Sequence, residues 1–204
     1  MYVPPKFALD NDAAWDVVRE AGAGMLVRSS EAGLASVFVP VVVAPDRTTI
    51  RAHVARGNPW WRSVRDDSEV LGLFVSASAY VSPSYYPSRF DDPGVVPTWN
   101  YVAVEVRGRL HVHDDAAWLA DQVRALTSTF EAGRSPQWRV DDAPADYIER
   151  QLKAIVGITI DVESLEGKVK LSQNRPVVDH DSVREHLGTG TLAERNVASR
   201  MFDE

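Results

Sequence analysis

A chain of 204 residues with 45% hydrophobic and 25% charged residues has the make-up of an ordinary globular protein, neither disordered nor fibrous. It has no cysteine, which excludes disulfides and thiolate metal sites. A net charge of −7 works against unspecific binding to nucleic-acid backbone or anionic membrane. No apolar run is long enough to span a bilayer, and the opening Met1–Phe7 lacks the charged head and apolar run of a secretory signal. Cytoplasm is the expected compartment.

In chain order, Met1 to Phe7 reads as an extended arm with two prolines. Asn11 or Asp12 can then cap a helix with Trp15, Val17 and Val18 inward, ended by Gly22 and Gly24. Gly24–Ser30 and Leu34–Val43 read as two strands joined by a turn through Glu31, Ala32 and Gly33, with Val37, Val39, Val41 and Val43 on one face. Pro40 inside the second run cannot donate a ladder hydrogen bond, which marks an edge or bulge. Thr48–His53 is a third strand, and Asn58-Pro59 is expected to open a short helix. The nearly continuous apolar run Val70–Ala79 predicts a strand covered on both faces. After a loop dense in Pro, Ser and Asp, Trp99–His113 alternates clearly: Val102, Val104, Val106, Leu110 and Val112 on one face, polar residues on the other.

Asp114 or Asp115 starts a helix carrying Trp118, Leu119, Val123, Leu126 and Phe130 up to Gly133. A second helix over Ala145–Ala154 puts Tyr147, Ile148 and Leu152 inward. Ile158, Ile160 and Val162 alternate in a last core strand, followed by the polar stretch Leu165–Pro176. A helix over Asp181–Leu187, a Gly-Thr-Gly break and a polar final helix complete the chain, with too little apolar content for a core of their own. The predicted fold is α+β and mainly antiparallel β, a barrel or sandwich with peripheral helices. Residues 1–176 are expected to form one domain and 177–204 a C-terminal helical tail.

Four stretches concentrate chemistry: His53–Trp61 (HVARGNPWW), Ala79–Pro87 (AYVSPSYYP), Val96–Tyr101 (VPTWNY) and Leu165–Pro176 (LEGKVKLSQNRP). They are expected to converge on one pocket. His53, Arg56 and Asn58 lie where a strand exit meets a predicted helix start, suited to a phosphate; the plain alternative is a capped turn with a surface Arg. Trp99, Asn100 and Tyr101 set an amide between two aromatics, suited to a flat heteroaromatic ring, although each aromatic taken singly also suits a core or rim. Ser82, Ser84, Tyr85 and Tyr86 sit in a proline-pinned loop and have no neighbour that would make any of them a nucleophile. His111 and His113 point the same way on a strand, yet no third metal ligand is identifiable, and solvent or a subunit interface fits that face better. No Walker loop, dinucleotide fingerprint, nucleophile elbow or H-E-x-x-H is present.

Taken in register, the four stretches and the opening MYVPPKF resemble the PaiB-type FMN-binding proteins, catalogued as negative transcriptional regulators, over the chain up to about Pro176. That family is similar to the FMN-binding split β-barrels related to pyridoxamine phosphate oxidase and flavin reductases, whose members are homodimers with two flavin sites at the interface. The resemblance implies FMN as cofactor, a phosphate role for Arg56 and Asn58 with His53 beside them, and ring or ribityl contacts from Trp99, Asn100, Lys170, Gln173 and Asn174. No metal is expected. One departure stands out: where family members tend to carry A-T-H-L-P on the second strand, this chain has Ala35-Ser36-Val37-Phe38-Val39-Pro40, with Phe38 in place of the His.

Three functions are then in view. One is a flavin-dependent oxidoreductase passing hydride or electrons from a reduced nicotinamide to an acceptor. Another is a regulator that binds FMN or another planar ligand such as haem without turnover. The third is a cofactor-free structural dimer, which leaves the polar stretches unexplained. Direct DNA reading is disfavoured by the acidic charge and the lack of a helix-turn-helix.

Overall fold

The computed structural model describes residues 1–30, 33–62, 64 and 67–201. The expected turn residues Glu31 and Ala32 lie outside the described residues. The chain forms two compact units: Met1–Val17 with Val75–Val104 and Glu166–Glu204, and Val18–Phe74 with Glu105–Leu165. They are called here the first and the second unit.

The second unit is built on a closed antiparallel barrel. Its strands are β1 (Ala23–Ser30), β2 (Gly33–Val43), β3 (Thr49–Ala55), β4 (Ser68–Val81), β5 (Thr98–His113) and β6 (Ile155–Lys170), in the ring order β1-β2-β3-β6-β5-β4. The last half of β4, the first half of β5 and the end of β6 from Glu166 belong to the first unit. Strict alternation explains why these segments are strands: Leu26, Val39, Val41, Ile50, Ala52, Val54, Phe74, Val106, Leu110, Ile158 and Ile160 are all buried. Pro40 stands where β2 leaves its β1 partner at Ala23 and takes up β3 from Val41 onward. A residue without an N–H is tolerated at such a hand-over.

The predicted two-sided cover of β4 does not hold: Val70, Gly72 and Phe74 point inward, whereas Leu73 is 41% and Val75 57% exposed. Met25 pairs with Phe38 on one side and with Leu73 on the other, so an exposed apolar row runs across β2, β1 and β4. A continuous apolar run cannot distinguish a strand covered twice from one whose second face is left bare.

Helix α2 (Ala116–Glu131) starts at Asp115, whose Oδ1 accepts the Trp118 N–H at 2.8 Å. Trp118 lies over Gly157 of β6, where an added Cβ would fall 2.1 Å from the ring. The absence of a side chain at position 157 is therefore what seats the helix. Helix α3 (Ala145–Lys153) has no buried residue, and Tyr147, expected inward, is 47% exposed.

In the first unit the N-terminal arm is tied down by the pairing of Ala8 with Lys168 and by the Leu9 N–H donating to the Gly167 carbonyl at 3.0 Å. Helix α1 (Asn11–Ala21) begins in this unit and ends in the other. Its cap is Asp10 rather than Asn11 or Asp12: Asp10 Oδ1 accepts from the Ala13 N–H at 2.8 Å. Gly22, with φ +64°, ends it. Helices α4 (Val177–Gly188) and α5 (Leu192–Ala198) supply Val183, Leu187, Val197 and Ala198 to the core of this unit. α4 starts four residues earlier than its apolar pattern indicates, because Pro176 precedes it and Asp179 in its first turn is fully buried. That carboxylate accepts from the Ser88 N–H at 3.0 Å and from Ser88 Oγ at 2.6 Å. Among the described residues no helix is long and apolar enough to cross a membrane.

Candidate functional site

In the second unit, β3 ends by delivering His53, Arg56 and Asn58 to a turn. The expected helix at Asn58-Pro59 does not form. Asn58 Oδ1 accepts the Trp60 N–H at 2.9 Å, a side-chain capped turn that competes with helix initiation. The turn is pinned from below by Arg28, a buried residue of β1 whose Nε donates to the Trp60 carbonyl at 3.1 Å, reinforced by its Nη2.

Arg56 is the most connected group of this cluster. Its Nε donates to the Lys153 carbonyl at 2.8 Å and its Nη2 to the Ile155 carbonyl at 2.9 Å, while Nη1 and Nη2 together grip the Asp114 carboxylate. That guanidinium holds the Asp114 carboxyl below the usual carboxylate range, and the partnership raises Arg56 in turn. His53 is different. Its Nδ1 is buried with no hydrogen-bond partner among the described residues, and burial lowers the imidazole below its ordinary value. Around Gly57 an added Cβ would meet nothing within 4 Å. The turn thus has open space and the Asn58 amide nitrogen outside its capping bond, and the orphaned imidazole nitrogen lies buried on β3, ahead of the turn in the chain. These donors suit an oxyanion.

The first unit holds the remaining five candidates, and they divide by burial. Asn100 is fully buried and exchanges hydrogen bonds with Ser172, its Nδ2 donating to Oγ at 3.0 Å, with the Met201 sulfur 3.8 Å away. Gln173 is tied at both ends: Oε1 accepts the Leu171 N–H at 2.7 Å and Nε2 donates to the Val169 carbonyl at 2.7 Å. These two amides fix the turn Leu171–Arg175, in which Ser172 takes φ +66°. Trp99 is 54% exposed and meets Tyr80 edge-on at 6.3 Å. Lys170 donates to Thr98 Oγ1 at 2.5 Å and to the Trp99 carbonyl at 2.6 Å, and its ammonium is lowered by burial first and then by the charges of Lys168 and Arg175. Asn174 is exposed. Trp99 and Asn174 are exposed, Lys170 and Gln173 half-buried, and Asn100 buried.

Sequence reasoning missed Asp114 as the partner of Arg56, since 58 positions separate them. It also missed a cavity of about 360 Å3 in the first unit, in which Gln173 and Arg175 are joined by Lys6, His180 and Arg200. The paired His111 and His113 serve structure. His111 Nε2 lies 3.2 Å from Asp161, and His113 stacks on Trp118 at 4.2 Å while its Nε2 meets Thr159 Oγ1 at 2.9 Å. Among the described residues no cluster could hold a metal ion.

Comparison with known proteins adds to this geometry. A family model described as "Putative FMN-binding domain" matches residues 1–164. The chain is 33% identical over 190 residues to the protease synthase and sporulation protein PAI 2 of Bacillus subtilis, covering 92% of this chain and 89% of that one. An uncharacterized protein of Aspergillus fumigatus is 34% identical over 176 residues, with 69% of this chain and 67% of the relative covered. Among solved structures, flavocytochrome Anf3 from Azotobacter vinelandii superposes with a TM-score of 0.62 at 11% identity, covering 83% of this chain and 72% of that one. The FAD and heme binding protein from Mycobacterium smegmatis gives 0.58 at 15% identity, with 79% and 71% covered. At such identities the likeness speaks for the barrel fold alone.

Proposed function

The chain belongs to the FMN-binding domain family, and from that premise we propose that it binds FMN as a homodimer and acts in PaiB-type negative regulation. The match across residues 1–164, which include five of the six strands whole, carries this reading. In it, His53, Arg56 and Asn58 serve the phosphate. Trp99, Lys170 and Asn174 serve the ring and ribityl chain, and Asn100 and Gln173 hold the turn that presents them.

Donor chemistry supports the assignment. A phosphate dianion would satisfy the orphaned His53 nitrogen and the remaining Asn58 amide donor, and Arg56 would reach it by sharing or exchanging its Asp114 partner. When bound, FMN supplies hydride and one-electron chemistry. The chain's own groups bind and orient: Trp99 offers an aromatic face, and Lys170 a desolvated positive charge. With a net charge of −7, regulation through ligand occupancy and protein contacts is favoured over direct reading of DNA.

The test is a titration of the purified chain with FMN, followed by quenching of flavin fluorescence. Saturable binding is expected, with Arg56→Ala weakening it at least tenfold while circular dichroism stays unchanged. A wild-type chain that leaves flavin fluorescence untouched sinks the cofactor assignment. Oxidation of NADH by the FMN-loaded protein would add an oxidoreductase activity; a pure regulator gives none. A Soret band in the visible spectrum would instead mark haem as the planar ligand.

A further inference from the structure

The cavity of the first unit is lined by the cations Lys6 and Arg175, with Arg200 beside them, and by one carboxylate, Asp181, which lies 3.7 Å from Arg184 and 3.6 Å from His180. Neither Lys6 nor Arg175 meets a carboxylate among the described residues. The Arg175 guanidinium carbon lies 4.5 Å from the centroid of the buried Tyr86 ring, which holds the cation at the cavity wall. Gln173 forms wall rather than donor, since both ends of its amide are tied to the main chain. The rest of the lining is apolar, from Val169, Leu171 and Met201. At about 360 Å3 the space is at the lower end for small-molecule sites.

We propose that this cavity binds a small organic anion with an apolar body, its acid group held by Arg175 and Lys6, and that it fills independently of flavin. The Arg175 guanidinium and Lys6 ammonium beside an apolar wall together select this class. An uncharged ring leaves the cations unanswered, and a bare inorganic anion leaves the wall wet.

The experiment is calorimetric titration of the whole chain with benzoate, benzyl alcohol and inorganic phosphate in turn. Benzoate should bind saturably and at least tenfold more tightly than either of the others. An equal response to benzyl alcohol or to phosphate overturns the proposal, as does the absence of benzoate binding. Arg175→Met, which keeps a stem against Tyr86, should weaken benzoate at least tenfold. Should that variant lose its fold by circular dichroism, Val177→Trp decides: Val177 lines the cavity and is 76% exposed, so a large side chain there blocks the space without entering the core. Unchanged benzoate affinity in Val177→Trp, or in a folded Arg175→Met, overturns the site. Saturating FMN should leave benzoate binding as it was. Competition between them would make this the flavin's own cavity and overturn the proposal, whereas a chain that binds benzoate but no FMN upholds this site and refutes only the cofactor assignment.

Discussion

Gly157 shows how a single missing side chain organises its surroundings. Trp118 occupies the place a Cβ would take, with the His113 ring stacked 7° from parallel and the Arg51 guanidinium 4.5 Å from the indole. Gly157→Ala is expected to cost about 1–3 kcal/mol in urea unfolding, because neither the ring nor the strand can yield 1 Å or so without unpacking α2. His53 makes a pH prediction. Its folded value lies below the ordinary 6.5 because burial disfavours the imidazolium. Between the folded value and 6.5 the unfolded chain therefore binds more protons, so stability is complete above that range and declines as pH falls through it. Urea midpoints measured from pH 7.5 downward should show this decline, and His53→Gln should flatten it; an unchanged slope in the variant would assign it elsewhere. Asn100→Ala strands the Ser172 hydroxyl in a buried place, with an expected loss of about 1–3 kcal/mol.

At the level of elements, local capping and long-range register divide the work. Asp115 caps α2 through the Trp118 N–H, so the same contact that starts the helix aims the indole at Gly157. Asp115→Ala should cost about 1 kcal/mol by thermal or urea melting, the usual value of a lost cap. The apolar row of Phe38, Met25 and Leu73 is an element-scale feature too, since it exists only because β1 pairs with β2 and β4 in one register. A slip of β1 by one residue would turn Met25 inward and break the row. Phe38 is 65% exposed, so a charge placed there should leave the monomer folded. Phe38→Lys is expected to weaken self-association, read as a concentration-dependent mass by light scattering, without lowering the urea midpoint of the isolated chain.

For the whole molecule, the proposed dimer predicts a solution mass about twice the 22.6 kDa of the chain. A monomer at micromolar concentration would leave the exposed row unexplained and remove an interface as the place for flavin. Much of this molecule was legible in the sequence, for local reasons. Alternation over β5 and β6, the Asp cap of α2 and glycine at the end of α1 each act within a few residues, where the geometry of strand and helix leaves little choice. The motif set that marks the family is likewise a property of order along the chain. What the sequence left open all depends on partners brought from afar. Arg56 reads as a surface cation until Asp114 and the Lys153 and Ile155 carbonyls are set around it. The burial of Asn100 and its partner Ser172, 72 positions on, are likewise not visible along the chain. The bare face of β4 and the cavity that unites Lys6 with Arg200 follow the same rule. Period and capping are short-range and determined by the residues themselves, whereas cover, charge balance and hydrogen-bond partners are settled only when distant segments share one packed interior.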